Sequence, residues 1–145
     1  MIFLDTGFLF ALFDEDDNDH LRVREVAERF RGRLLPDFVL TTNHVIAETI
    51  TLARSKGHPD PGVRHDRAVR IGQRLWAGHL ASVHHATPEE EQAAFVYFAR
   101  HRDKDYSFVD CLSFVVMEKL GIREAFAVDK DFTHRFVALP GPRPK

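Results

Sequence analysis

The sequence predicts an α/β fold: a three-layer α/β/α sandwich around a central, mainly parallel sheet of four to five strands. Three observations predict it. The short apolar runs "IFLD", "FVLTT" (38–42) and "AFAVD" (125–129) have the form of strands buried on both faces, as parallel strands are. Segments with helical periodicity alternate with these runs. No repeat, low-complexity tract or long linker divides the 145 residues, so residues 1–145 are expected to form a single domain.

Taken in chain order, "MIFLDTGFLFALFDEDD" reads as a strand and a short helix. It lacks the basic leader and small-residue cleavage site of a signal peptide, and Asp5 interrupts its apolar run. "DHLRVREVAERFRG" places Val23, Val26, Ala27 and Phe30 on one helical face, with a stop expected at Gly32. After "FVLTT", a helix follows "TTN" and runs to the "KGHPDPG" loop; a further helix covers Val63 to about His79. "LASVHHA" is a weaker strand. "TPEEEQAAFVYFARHR" opens a helix with Thr87 as N-cap, Pro88 at the first position and Glu90 closing a capping box. The last helix lies in "YSFVDCLSFVVMEKLG" and ends at Gly121, before the "AFAVD" strand and a possible edge strand "FVAL" (136–139).

Composition bounds the function. Hydrophobic residues make up 44% and charged residues 29%, as in a soluble globular protein. One cysteine, Cys111, excludes an internal disulfide framework and a thiolate metal cluster, and a reducing, cytoplasmic location is expected. No run approaches the length of about 20 apolar residues that a membrane span needs. The 20 Lys+Arg against 22 Asp+Glu leave a net charge of -2, so any nucleic-acid surface must be local. Arginines cluster at 22–33, 64–74 and 100–102.

The acids carry the chemistry. Parallel strands joined by right-handed crossovers bring each strand's carboxyl end and the next helix's amino end to one edge of the sheet. Asp5 and Asp129 end strands, and Asp110 lies in the first turn of the helix leading into the "AFAVD" strand. Glu48 lies in the second turn after "FVLTT", between Val45 and Leu52, and leans toward its helix's amino end. Four carboxylates thus meet where open α/β sheets bind ligands. Their mutual repulsion calls for a cation, and an oxygen-only set suits Mg²⁺ or Mn²⁺. Such ions activate water for phosphoryl displacement in many nucleases.

Each residue also has a structural reading. Ser107 and Asp110 fit a capping box, and Asp5 and Asp129 fit turn caps. Asp131 is either an auxiliary ligand or an N-cap. Glu48 is too deep in its helix to cap. Nine scattered histidines give only His79 and His84 a ligand-like spacing, without partners for zinc. Cys111 belongs to the packing stripe Phe108, Cys111, Leu112 and Val115. Arg64, Arg67, Arg70 and Arg74 recur at helical steps, as a solvated face or a phosphate-gripping stripe.

The motifs "IFLDTG", "TTNHVIAE", "SFVDCLSF" and "AFAVDKDF", in this order from Ile2 to Phe132, resemble those of PIN domains, particularly the VapC-type ribonuclease toxins. The resemblance implies that Asp5, Glu48, Asp110 and Asp129 form the family's acidic quartet around Mg²⁺ or Mn²⁺. Thr6, Asn43 and Ser107 match its supporting polar positions. It further implies an RNA substrate cleaved by activated water, a homodimer and a cognate antitoxin. The alternative reading is a PIN-like module that binds RNA or protein without turnover. Two other classes fit less well. A haloacid dehalogenase-type phosphohydrolase needs an acid where Gly7 stands, and a receiver module needs an Asp where the third strand runs into "HHA".

Overall fold

The computed structural model describes all residues, Met1–Lys145. Five strands form one sheet in the order β3-β2-β1-β4-β5, and every pairing is parallel. β1 (Ile2–Leu4), β2 (Val39–Thr42), β3 (Ser82–His84), β4 (Glu124–Ala127) and β5 (Val137–Pro140) alternate with six helices, α1 (Thr6–Phe13), α2 (His20–Arg29), α3 (Asn43–Ser55), α4 (Pro61–Trp76), α5 (Pro88–Arg100) and α6 (Phe108–Leu120). The segment 136–139 is thus an edge strand shifted by one residue, and it too is parallel.

β1 sits at the centre, with Ile2 opposite Val39 on one side and Leu4 opposite Phe126 on the other. Connections leave β1 toward β2 and β3, then return across the sheet to β4. Right-handed crossovers therefore place α1 to α4 on one face and α5 and α6 on the other. The strand order reverses at β1, and its carboxyl end is the topological switch point where such sheets bind ligands. A core of 29 buried apolar residues, including Phe3, Phe8, Ile46, Phe114 and Phe126, fixes this frame.

Helix boundaries follow local chemistry, with differences from the sequence reading. α2 ends at Arg29, and a 3₁₀ turn occupies Arg31–Arg33, so Gly32 is not its stop. α4 starts earlier than expected, at Pro61, because the Asp60 side chain caps it through the Gly62 N–H. It ends at Trp76, not near His79. Gly121 does end α6, in the left-handed conformation that glycine adopts without strain.

The box expected at α5 is half formed. Thr87 caps the Glu90 N–H, but the Glu90 carboxylate turns to the His84 imidazole, the Lys119 ammonium and the Thr87 hydroxyl. Burial at 3% exposure makes those partners worth more to it than the helix end.

Two of the four α4 arginines leave the stripe that their spacing offered as a solvated face or a phosphate grip. Arg67 is buried and donates to the carbonyls of Ala53 and Lys56, facing the Asp14 carboxylate at 3.6 Å. Arg64 donates to the carbonyls of Arg54, His58 and Pro59. Both close the end of α3 and its following loop, whose carbonyls lack helical partners. Arg70 and Arg74 stay exposed, with Arg74 over the Phe13 ring at 5.6 Å.

Candidate active site

At the carboxyl edge of the sheet, a cavity of about 380 Å³ is lined by Asp5, Thr6, Gly7, Glu48, Asp105, Ser107, Asp110, Val128 and Asp129. The four acids expected from the sequence therefore share one cavity, carried by β1, α3, α6 and the end of β4. No Lys, Arg or His lines it.

Each acid is held by its own element. Asp5 follows β1 and caps α1, its Oδ2 accepting the Gly7 N–H at 3.3 Å. Glu48 accepts from the Thr6 hydroxyl at 3.1 Å, which ties α3 to the start of α1. Asp110 and Ser107 form the capping box, with both hydrogen bonds at 3.0 Å. Capping and cavity lining coexist because the cap occupies only Oδ2 of Asp110. Asp129 caps the 3₁₀ helix Lys130–His134 by accepting the Asp131 N–H at 3.0 Å.

Asp131 is therefore not the N-cap that one reading expected. It lies inside that short helix, buried at 7% exposure and outside the cavity lining. Asn43 is also elsewhere: its Oδ1 accepts the Ala86 N–H and joins α3 to the segment after β3. Thr6 donates its hydroxyl to Glu48, and Ser107 donates its N–H to the Asp110 carboxylate. Asp105 was missed; it precedes the α6 cap by two residues, and only the loop's fold turns it to the cavity.

Gly7 is required by close approach. A Cβ there would lie 2.9 Å from Cγ2 of Val128 and 3.7 Å from Oδ2 of Asp5. The glycine lets the strand end before Asp129 pack against the turn after Asp5.

Electrostatics mark the cavity as uncompensated. Burial, then repulsion from Asp110 and Glu48, push the Asp5 carboxyl well above the usual range, against the lowering effect of the Gly7 and Thr6 N–H groups. Burial raises Glu48, partly offset by the Thr6 hydroxyl. Burial is also the main cause at Asp110, which is raised to about 6 despite its cap. Neighbouring Cys111 is pushed up to about 11 by burial and by Asp110, which favours the neutral thiol over a thiolate nucleophile.

The donor set fits a hard divalent cation: oxygen-only, clustered, anionic and without a protein cation. No three His, Cys, Asp or Glu side chains have the spacing of direct ligands to one ion. Mg²⁺ tolerates this, since it usually keeps several waters and takes one or two carboxylates. Cavity size alone points elsewhere. A larger cavity of about 720 Å³ lies beside the carboxyl end of α6, but its carboxylate, Glu118, is paired with Arg135.

Comparison with known proteins agrees with the geometry. The family model described as "PIN domain" matches residues 2–135. The 23S rRNA-specific endonuclease VapC20 of Mycobacterium tuberculosis is 37% identical over 134 residues, 92% of each chain. A VapC ribonuclease of Archaeoglobus fulgidus is 30% identical over 121 residues, covering 83% of this chain and 72% of the relative. The crystal structure of M. tuberculosis VapC20, described as a sarcin–ricin loop cleaving toxin, superposes with a TM-score of 0.79 at 34% identity, covering 92% of this chain and 94% of that one. With this match over nearly its whole length, the chain belongs to the PIN domain family.

Proposed function

We propose that this protein is an Mg²⁺- or Mn²⁺-dependent endoribonuclease and the toxin of a type II toxin–antitoxin pair. The observation that carries the reading is the cavity in which Asp5, Glu48, Asp110 and Asp129, with Asp105 beside them, gather without a cationic side chain. The similarity to VapC ribonucleases supplies the substrate class. The resemblance to VapC-type toxins implies a cognate antitoxin and a homodimer, and exposed Phe95 and Val96 on α5 offer apolar surface for such contacts.

Asp5, Asp110 and Asp129 would hold the metal, with Glu48 beside them. When bound, the ion offsets the carboxylates' repulsion and lends Lewis acidity to phosphodiester hydrolysis. Glu48 orients the attacking water and takes its proton, a role suited to a carboxyl whose proton affinity burial has raised. Thr6 fixes one oxygen of Glu48 and leaves the other free. The Ser107 cap holds the Asp110 rotamer in the same way.

Replacing Asp5 with Asn keeps an oxygen to accept the Gly7 N–H and removes one charge. Mn²⁺-dependent cleavage of an RNA stem-loop should fall by at least about 100-fold in Asp5→Asn, with the fold retained by circular dichroism. Undiminished cleavage in that variant, or in excess chelator, contradicts the assignment.

A further inference from the structure

Four carboxylates repel an RNA backbone as strongly as they attract a cation, so a nuclease built on them needs positive charge beside the cavity. Of the α4 arginines, Arg64 and Arg67 are turned into carbonyls, and the exposed Arg70 and Arg74 line neither the acid cavity nor the one beside it. The loop between α5 and α6 has the required features. A second cavity of about 430 Å³ is lined by Phe98, His101, Arg102, Lys104, Asp105 and Tyr106, with Ala99. Asp105 belongs to both cavities, so the two adjoin.

Arg102 and Lys104 are exposed, and neither enters an ion pair. Asp105 is the single carboxylate in that lining. Phe98 is 45% exposed, and with Phe38 and Phe95 it is one of three exposed phenylalanines in the chain. His101 beside it is held in place, stacked on Tyr97 at 4.0 Å and bonded to the Tyr97 carbonyl. Two exposed cations on the loop and an exposed phenylalanine in the last turn of α5 are what single-stranded nucleic acid needs: charge for phosphates, a ring for a base.

We propose that Phe98, Arg102 and Lys104 form a nucleotide subsite adjoining the acid cavity. Arg102 and Lys104 hold backbone phosphates next to the one that is cut, and Phe98 stacks a flanking base. The inference takes its ligand, RNA, from the ribonuclease reading above, and its test is separable from that reading. Binding of a fluorescein-labelled RNA stem-loop is measured by anisotropy in the cleavage-deficient Asp5→Asn protein across a salt series. Adding Arg102→Glu and Lys104→Glu should weaken binding by about 10-fold or more and reduce the slope of log Kd against log salt by about 1.4, at about 0.7 per phosphate on a single strand. Phe98→Ala should weaken binding by about 5-fold with the slope unchanged. Arg70→Glu on α4, which reverses an exposed cation outside both cavities, should do neither. Affinity and slope equal to the parent's in the loop variant overturn the subsite. Loss of a co-purifying protein partner with RNA binding intact reassigns the loop to protein docking and equally overturns it. Wild-type protein that fails to cleave RNA sinks the activity reading, while loop-dependent binding still supports the subsite.

Discussion

Asp5 and Glu90 are both removed from water, at 5% and 3% exposure, yet their carboxyls are shifted in opposite directions. Burial is the largest influence on each and raises both. At Glu90 it is outweighed by hydrogen bonds from His84 and Lys119, the pull of His84 and the Thr87 hydroxyl, which together bring the carboxyl below its ordinary value. At Asp5 the nearest charges are Asp110 and Glu48, and they add to the effect of burial. Asp14, also buried, faces Arg67. A buried acid is therefore no mark of a site by itself in this molecule. Several acids gathered in one cavity without a cation are, because structural pairing has been withheld at a place where it would stabilise the fold.

The largest effect that sharpens this contrast is on catalysis. Asp110→Asn should lower RNA cleavage by at least about 100-fold. Glu90→Gln, outside the cavity, should leave cleavage within about threefold when assayed well below its melting temperature. Stability should respond with opposite signs. Asn at 110 keeps an oxygen for the Ser107 N–H and removes a repelled charge, so the metal-free protein should gain about 1 kcal/mol. Gln at 90 loses charge-assisted bonds to His84 and Lys119 and should cost about 1 kcal/mol. Urea unfolding in chelator measures both, and equal signs would break the comparison.

A smaller effect is expected from pH. Asp110 titrates at about 6 in the fold against 3.8 ordinarily, so the folded state binds this proton more tightly than the unfolded chain. Its destabilising charge is fully present above pH 6 and is relieved as pH falls toward 4; Asp5 and Glu48 act in the same direction. Metal-free protein should therefore melt higher at pH 5 than at pH 7, and saturating Mn²⁺ should stabilise it more at pH 7. Thermal scans with and without Mn²⁺ test this, and a metal-free melting temperature that falls on acidification from pH 7 to pH 5 contradicts it.

The site was legible in the sequence where local pattern and topology coincide. Asp5 and Asp129 end apolar runs, and a parallel sheet sends such ends to one edge. Glu48 stood out because no helix-end role was open to it. Glu90 was misread because its partners, His84 and Lys119, come from another strand and another helix, while the Thr-Pro-Glu-Glu start suggested a purely local bond. Arg64 and Arg67 were misread for a related reason: helical spacing shows which face they share with Arg70 and Arg74, not that the end of α3 offers them its unpaired carbonyls. Asp105 lies in a segment without periodicity, and only the three-dimensional path of that loop turns it to the acid cavity, while Arg102 and Lys104 line the cavity that shares Asp105 with it.

Calorimetric titration of the protein with Mn²⁺ tests the central claim most directly. The account predicts saturable binding to the wild type that Asp5→Asn or Asp110→Asn weakens strongly and Glu90→Gln leaves intact. Absence of binding to the wild type, or equal binding in all of these proteins, would contradict it.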